Sequence, residues 1–269
     1  MNNFERRLEQ AVQNNYRFSA GDVLNKGYEL LRDYFFYFIG YTLLWGLAKF
    51  LLAIIGQLTF EILSDILNLF VNAFFVAGYY YMADKIYRKE EPKFSDFFLA
   101  GPKLLKLTLT YFLICILVVI PFLPMIIVLI IDQNSEFDSL SNMISSSIGQ
   151  SSFGIISFSL LFLGGVGCFL TYAATSLALP IVTFSNLGPV EALKASLKLM
   201  KGNFLSWFFY AFISLLLLFF AAIALLVGLL VAIPVVMLAQ YVILADALKF
   251  GQEEEIEDAG DLSDHFIIE

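Results

Sequence analysis

Long apolar runs separated by short polar segments dominate the chain. The first covers about 34–56 (YFFYFIGYTLLWGLAKFLLAIIG), the second 62–83, the third 107–131 and the fourth 155–183. Each is long enough for a helix of ~20 residues to cross ~30 Å of hydrocarbon. From Phe204 to Phe250 run 47 residues with almost no charge. At ~1.5 Å of rise per residue that is too long for a single crossing. The run divides into 204–223 and 228–249, with a tight apolar turn before Gly228. The pattern predicts an all-α polytopic membrane bundle of six transmembrane helices.

The polar segments before the odd-numbered spans repeat without gaps. They read Asp22-VLNK-Gly27-YE-Leu30-Leu31-Arg32, Asp96-FFLA-Gly101-PK-Leu104-Leu105-Lys106 and Glu191-ALKA-Ser196-LK-Leu199-Met200-Lys201. An acid early and a base late both suit a helix macrodipole. Ser19 and Ser95 are candidate N-caps, and Pro189 suits a first helical turn. The small residue at Gly27, Gly101 and Ser196 allows close approach to a neighbour. The spacing predicts one unit used three times: a short cytoplasmic amphipathic helix, a span, an outer turn and a return span. The Ser-rich outer segment 132–152 has Phe137, Leu140, Ile144 and Ile148 near helical spacing. It reads equally as a surface helix or as a loop.

Composition agrees with the pattern: the 269 residues are 59% hydrophobic and 15% charged, with a mean hydropathy of +0.80. An ordinary soluble domain is nearer half apolar and a quarter charged, so that class is excluded. The net charge of −8 belongs to residues 251–269, which hold eight acids and no Lys or Arg. The remaining body is neutral, and the tail reads as a disordered, solvated extension. The expected organisation is therefore N-terminal amphipathic helices over 1–33, a transmembrane domain over 34–250 and an acidic tail over 251–269. The start, MNNFERRLEQAVQNNYRF, does not read as a cleavable signal peptide. Fifteen of the 16 Lys and Arg residues fall at the N-terminus, in 85–106, in 194–201 or at Lys249. Basic residues mark cytoplasmic segments, so both termini are expected in the cytoplasm of a multi-pass plasma (inner) membrane protein.

Candidate chemistry is sparse. The one His, His265, lies in the tail, which leaves the spans without His-ligated metal sites or Ser-His-Asp triads. No phosphate-binding or nucleophile-elbow motif occurs. No catalytic residue, cofactor site or metal site is expected. Cys115 and Cys168 read as small apolar packing residues. Lys49 is the one basic residue inside a span, and an intramembrane charge demands a partner or a wet environment. With a turn near Gln57, Lys49 lies eight residues before it and Asp65 eight after, at matching depth. Asn68 and Asn72 extend Asp65 into a polar stripe. Lys49, Asp65, Asn68 and Asn72 form the candidate polar cluster, either a register-fixing ion pair or the lining of a solute, proton or lipid path. Asp84 and Asp246 read as solvated helix ends. The small residues from Gly164 to Ala178 predict a closely packed fourth helix. Pro121, Pro124, Pro180 and Pro234 predict bends.

The stretch LPIVTFSNLGPVEALKASLKLMKGNF, followed by Gly228-LLVAI-Pro234 and Tyr241, resembles a broad bacterial set. It is similar to the YciC-like integral membrane proteins of unknown function, and to the membrane domain found before some glycerophosphoryl diester phosphodiesterases. Pro180, Ala192-Leu193-Lys194, Ser196, Lys201-Gly202-Asn203, Gly228 and Pro234 carry the resemblance over about 180–245. It implies some six helices in a bacterial inner membrane and no assigned activity, and no catalytic domain is expected after the tail. The expectation is a non-enzymatic membrane protein with a structural, regulatory or assembly role. Its partners would be membrane lipids and other membrane proteins, not nucleic acid, met through the inner helices and the tail. The alternative is a small transporter or channel for a solute or lipid.

Overall fold

A computed structural model describes residues 3–14, 16–58, 61–127, 150–224 and 227–250. The Ser-rich segment before Gln150 and the acidic tail with His265 lie outside them. All elements among the described residues are helical. Two amphipathic helices come first, α1 (Asn3–Gln13) and α2 (Ala20–Asp33). They are followed by the hairpin α3 (Phe35–Leu58) and α4 (Glu61–Tyr87). The third span is α5 (Leu104–Val119), and the fourth is α6 (Gln150–Thr175) with α7 (Ala178–Phe184). An amphipathic helix α8 (Pro189–Gly202) leads into the last hairpin, α9 (Phe204–Ile223) and α10 (Val227–Leu248). Six stretches are long and apolar enough to cross a membrane.

Local chemistry sets the helix ends. Ser19 caps α2 by accepting the Asp22 N–H, at 3.4 Å. Pro189 opens α8, and the Glu191 carboxylate accepts the Gly188 N–H at 2.9 Å. The second inner segment departs from expectation. It forms two 3-10 turns, Phe94–Phe98 and Gly101–Lys103, and not an α-helix. Pro102 disfavours helical geometry at the residue before it, Gly101. Ser95 lies inside the first turn; Asp96 closes it by accepting the Lys93 N–H at 2.8 Å.

The three units nevertheless pack in one cyclic order. Each inner segment lies on the return span of the preceding unit: α2 on α10, the 94–98 turn on α4, and α8 on α6 and α7. The return spans α4, α7 and α10 touch one another at the centre, while α3, α5 and α9 lie outside them. Gly27 allows the first of these contacts, since a Cβ there would meet the Val235 carbonyl of α10 at 2.8 Å. Ser196 makes the third with its hydroxyl, which donates to Ala174 O at 2.6 Å and accepts from Leu177 N at 3.3 Å.

Burial is uneven along the bundle. The ends of the return spans, the amphipathic helices and both described termini gather at one end, together with most of the basic residues. Buried side chains concentrate in that half: Phe38, Tyr41, Tyr79, Tyr80, Phe97, Trp207, Tyr210 and Tyr241 are all nearly inaccessible. Tyr41 stacks on Phe97 with centroids 4.0 Å apart, and the Thr42 and Tyr79 hydroxyls meet at 2.7 Å. In the opposite half the outer spans present exposed apolar side chains, among them Phe50, Leu51, Ile116, Val119, Leu215 and Phe219. The prolines act differently by position. Pro121 sits in a 3-10 turn, Ile120–Phe122, that interrupts the third span. Pro180 follows the break between α6 and α7, where its ring would clash with the carbonyl four residues earlier. Pro234 is carried inside a continuous α10.

Candidate functional site

The first hairpin does not gather its four polar residues. Helix α3 continues to Leu58 and α4 begins at Glu61, so the turn is centred two to three residues beyond Gln57. Lys49 and Asp65 then differ in depth by about five residues, or ~7 Å at helical rise. The Ser64 hydroxyl donates to Leu52 O at 2.9 Å, which fixes this register. Lys49 and Asp65 are both exposed on the outside of the bundle, and the ion pairs among the described residues do not join them. Asn68 and Asn72 turn inward. Asn68 Nδ2 donates to Ser64 O at 3.0 Å, while its Oδ1 is buried without a partner. Asn72 faces the Tyr111 hydroxyl on α5.

The densest polar arrangement lies instead at the basic end, where α4 and α10 finish side by side. Tyr241 of α10 donates to Asp84 Oδ1 at 2.7 Å, and Tyr87 of α4 donates to Asp246 Oδ1 at 2.8 Å. The two spans thus exchange hydroxyl–carboxylate bonds. Arg88 adds a 3.0 Å ion pair to Asp84, and Lys26 of α2 reaches Asp246 at 2.7 Å. Arg88 also lies over the Phe250 ring. The Tyr16 phenol packs near this group. Burial is the main cause that pushes its pKa up, with the Asp246 and Tyr87 charges adding to it. A third latch joins the second unit, where Lys103 Nζ donates to Thr183 O and Ser185 O at 2.8 and 2.9 Å. Those carbonyls lie in the last turn of α7 and at its C-cap, where a cation is favoured. Arg7 donates to Leu248 O and Lys249 O, tying α1 to the end of α10.

Toward mid-bundle the interior carries a tyrosine–amide cluster that the sequence reading did not single out. Tyr80 donates to Gln240 Oε1 at 2.6 Å, Tyr172 reaches the same amide, and Tyr210 donates to Val236 O at 3.1 Å. Gln240 and Tyr80 are almost wholly buried. The signal was present: Gln240 is the one amide side chain in 228–249, and a buried amide needs partners.

These groups join helices. Asp84 and Asp246 accept from fixed hydroxyls and cations, and the interior contributes phenols and an amide. Among the described residues no three His, Cys, Asp or Glu side chains gather to hold a metal. Cys115 and Cys168 are both part-buried free thiols. Six apolar helices, closed at one end by reciprocal polar latches, define a multi-pass integral membrane protein. Compared with protein-family models, curated proteins and solved structures, the chain matches none.

Proposed function

We propose that the protein is a non-catalytic assembly protein of a bacterial inner membrane, with both termini cytoplasmic, that joins another membrane protein through the outer face of its first hairpin. One observation carries this reading. Lys49 lies 14 residues after the start of α3 and nine before its end, about 13 Å inside the far end of a ~30 Å core. It is exposed beside Leu47, Phe50 and Leu51, and no acid of the described chain pairs with it. A lysine at mid-helix costs ~2.5–3.5 kcal/mol on insertion scales. A carboxylate at the same depth on a neighbouring helix of another protein offsets that cost. The inner amphipathic helices offer less: the apolar faces of α2 and α8 are already buried against α10, α6 and α7.

The transporter reading asks Lys49, Asp65, Asn68 and Asn72 to line one path. Two of them face outward and two inward, which favours assembly. Resemblance to the YciC-like set supports a bacterial inner-membrane setting without naming a partner. The test is cross-linking in native membranes, followed by gentle purification and mass spectrometry. Wild type and Lys49→Arg should carry a membrane partner that Lys49→Leu loses while keeping its own fold. Unchanged partners in Lys49→Leu refute the reading. Loss only on deleting 251–269 moves the contact to the tail.

A further inference from the structure

The loosely packed half of the bundle encloses a cavity of about 420 Å³ at mid-depth. All three units line it: Trp45 from α3, Val118 from α5, Gly165 and Phe169 from α6, Leu215 from α9 and Met237 from α10. Its walls are almost entirely apolar, and Leu215 is 54% exposed at its mouth. The volume falls within the range of built ligand sites, roughly 300–1,000 Å³. Below it, Tyr80, Tyr172 and Gln240 close the way to the basic end.

The glycines of α6 separate packing from room. A Cβ on Gly164 would meet the Phe122 ring at 2.7 Å, and one on Gly167 would meet Pro121 at 2.6 Å. Both are small because another segment presses on them. A Cβ on Gly165 meets nothing within 4 Å. Close helix packing accounts for the first two and not for the third, which is exposed and borders the cavity.

We infer that this cavity holds the acyl chain of a bilayer phospholipid. Apolar cavities of this kind do not hold water, and a polar solute entering here would leave its hydrogen bonds unmade. Among the described residues, the buried lining N–H without a partner is that of the Trp45 indole. Around the mouth the molecule presents the exposed side chains of α5 and α9, the surfaces that face hydrocarbon, so the apolar molecules that reach it are lipid chains. The site lies at mid-depth, where chains and not headgroups are found. It is a different contact from the one at Lys49, although Trp45 lies one helical turn before Lys49 on α3.

Gly165→Leu adds a side chain at the cavity wall, where a Cβ meets nothing within 4 Å. Gly46→Leu, where a Cβ also meets nothing within 4 Å, adds the same atoms to the exposed face of α3 and serves as control. After detergent purification, wild type and Gly46→Leu should retain about one more phospholipid per chain than Gly165→Leu, by phosphorus assay and lipid mass spectrometry. Added phosphatidylethanolamine should raise the melting temperature of the first two and leave the third unmoved. A second measurement needs no filling variant: phospholipid brominated at mid-chain should quench Trp45 fluorescence saturably at low mole fraction, and Trp45→Phe should remove that component. Equal lipid counts and equal lipid-induced shifts in all three proteins overturn the inference. So does a Gly165→Leu protein that melts higher than wild type with and without lipid, which marks an empty void. Quenching that only tracks lipid mole fraction also overturns it.

Discussion

Replacing Gly27 by alanine adds one methyl group to the face of α2 that lies on α10. The added carbon would sit 2.8 Å from Val235 O and 2.9 Å from Ala239 N, both backbone atoms of a helix. No side chain can rotate out of the way, so α2 must lift from α10 along its length. Overpacking of this kind costs about 1–3 kcal/mol, and the backbone obstacle argues for the upper half of that range. Alanine returns about 1 kcal/mol of helix propensity. The balance is a loss of about 1–2 kcal/mol. At roughly 2–4 °C per kcal/mol for a chain of this size, the melting temperature in detergent falls by several degrees. Gly21, on the same helix, provides the contrast. A Cβ there meets only the Ser19 hydroxyl, at 3.9 Å, so Gly21→Ala should be neutral or stabilising. Circular dichroism at 222 nm, with elution position as a check on monodispersity, reads both variants. If Gly27→Ala melts at or above wild type, contact between α2 and α10 does not depend on the glycine, and the close-approach explanation of the repeated small residue fails.

Other contacts give further expectations. Tyr241→Phe leaves Asp84 without its hydroxyl donor and should cost about 1–2 kcal/mol, whereas Lys26→Met breaks a half-exposed ion pair with Asp246 and should cost under about 1 kcal/mol; comparing their melting temperatures checks the ranking. Ser196→Ala removes two hydrogen bonds at the α6–α7 break and should cost about 1–3 kcal/mol, with amide exchange rising first at Leu177. Tyr80→Phe strips the buried Gln240 amide of its 2.6 Å partner and should destabilise by a similar amount, while the paired change Tyr80→Phe/Gln240→Leu should recover part of the loss. Cysteine placed at the outward-facing position 65 should react with a lipid-soluble maleimide, and cysteine at the inward-facing position 72 should stay protected.

Much of this fold is legible from hydrophobic length alone. The division of 204–250 follows because 47 residues cannot cross once; the helices found, Phe204–Ile223 and Val227–Leu248, differ from 204–223 and 228–249 by a residue. The repeat was legible as spacing, but its small residue serves docking only at Gly27 and Ser196; Gly101 is exposed and a Cβ there would meet nothing within 4 Å, so close approach does not explain it. Its local form was less legible. Gly101-Pro102 keeps the second copy from being an α-helix, yet the turn at Phe97 docks on the same kind of return span. Register was the weakest point. A hairpin is read from its apolar run, but its turn can move by two or three residues without altering that pattern. That displacement separates Lys49 from Asp65. The tyrosine–amide cluster was hidden for another reason: Tyr80, Tyr172 and Gln240 lie on three spans, and their meeting depends on which spans are central.

Beside Asp65 and the Asn68 amide oxygen, two positions that the fold leaves unexplained are informative for the same reason. Sequences that specify one structure make each local choice agree with the whole. Most polar or small residues here do so: Asp84 and Asp246 bind α4 to α10, Gly27 and Ser196 admit an amphipathic helix, and Gly164 and Gly167 admit Pro121 and Phe122. Lys49 and Gly165 do not. One puts a charge on an apolar outer face, and the other withholds a side chain where packing has space for it. Neither stabilises the isolated chain, and both lie toward the half of the bundle where buried side chains are few. A membrane protein whose polar groups close one end needs nothing from its surroundings there. At the loose end Lys49 lacks a counter-charge and the cavity lacks an apolar filling. The two deficits call for different chemistry, a carboxylate and a hydrocarbon chain, so they can be removed separately: Lys49→Leu should leave lipid retention intact, and Gly165→Leu should leave the Lys49 contact intact. If either substitution abolished both, the two positions would belong to one site, and the separation argued from their places on α3 and α6 would be wrong.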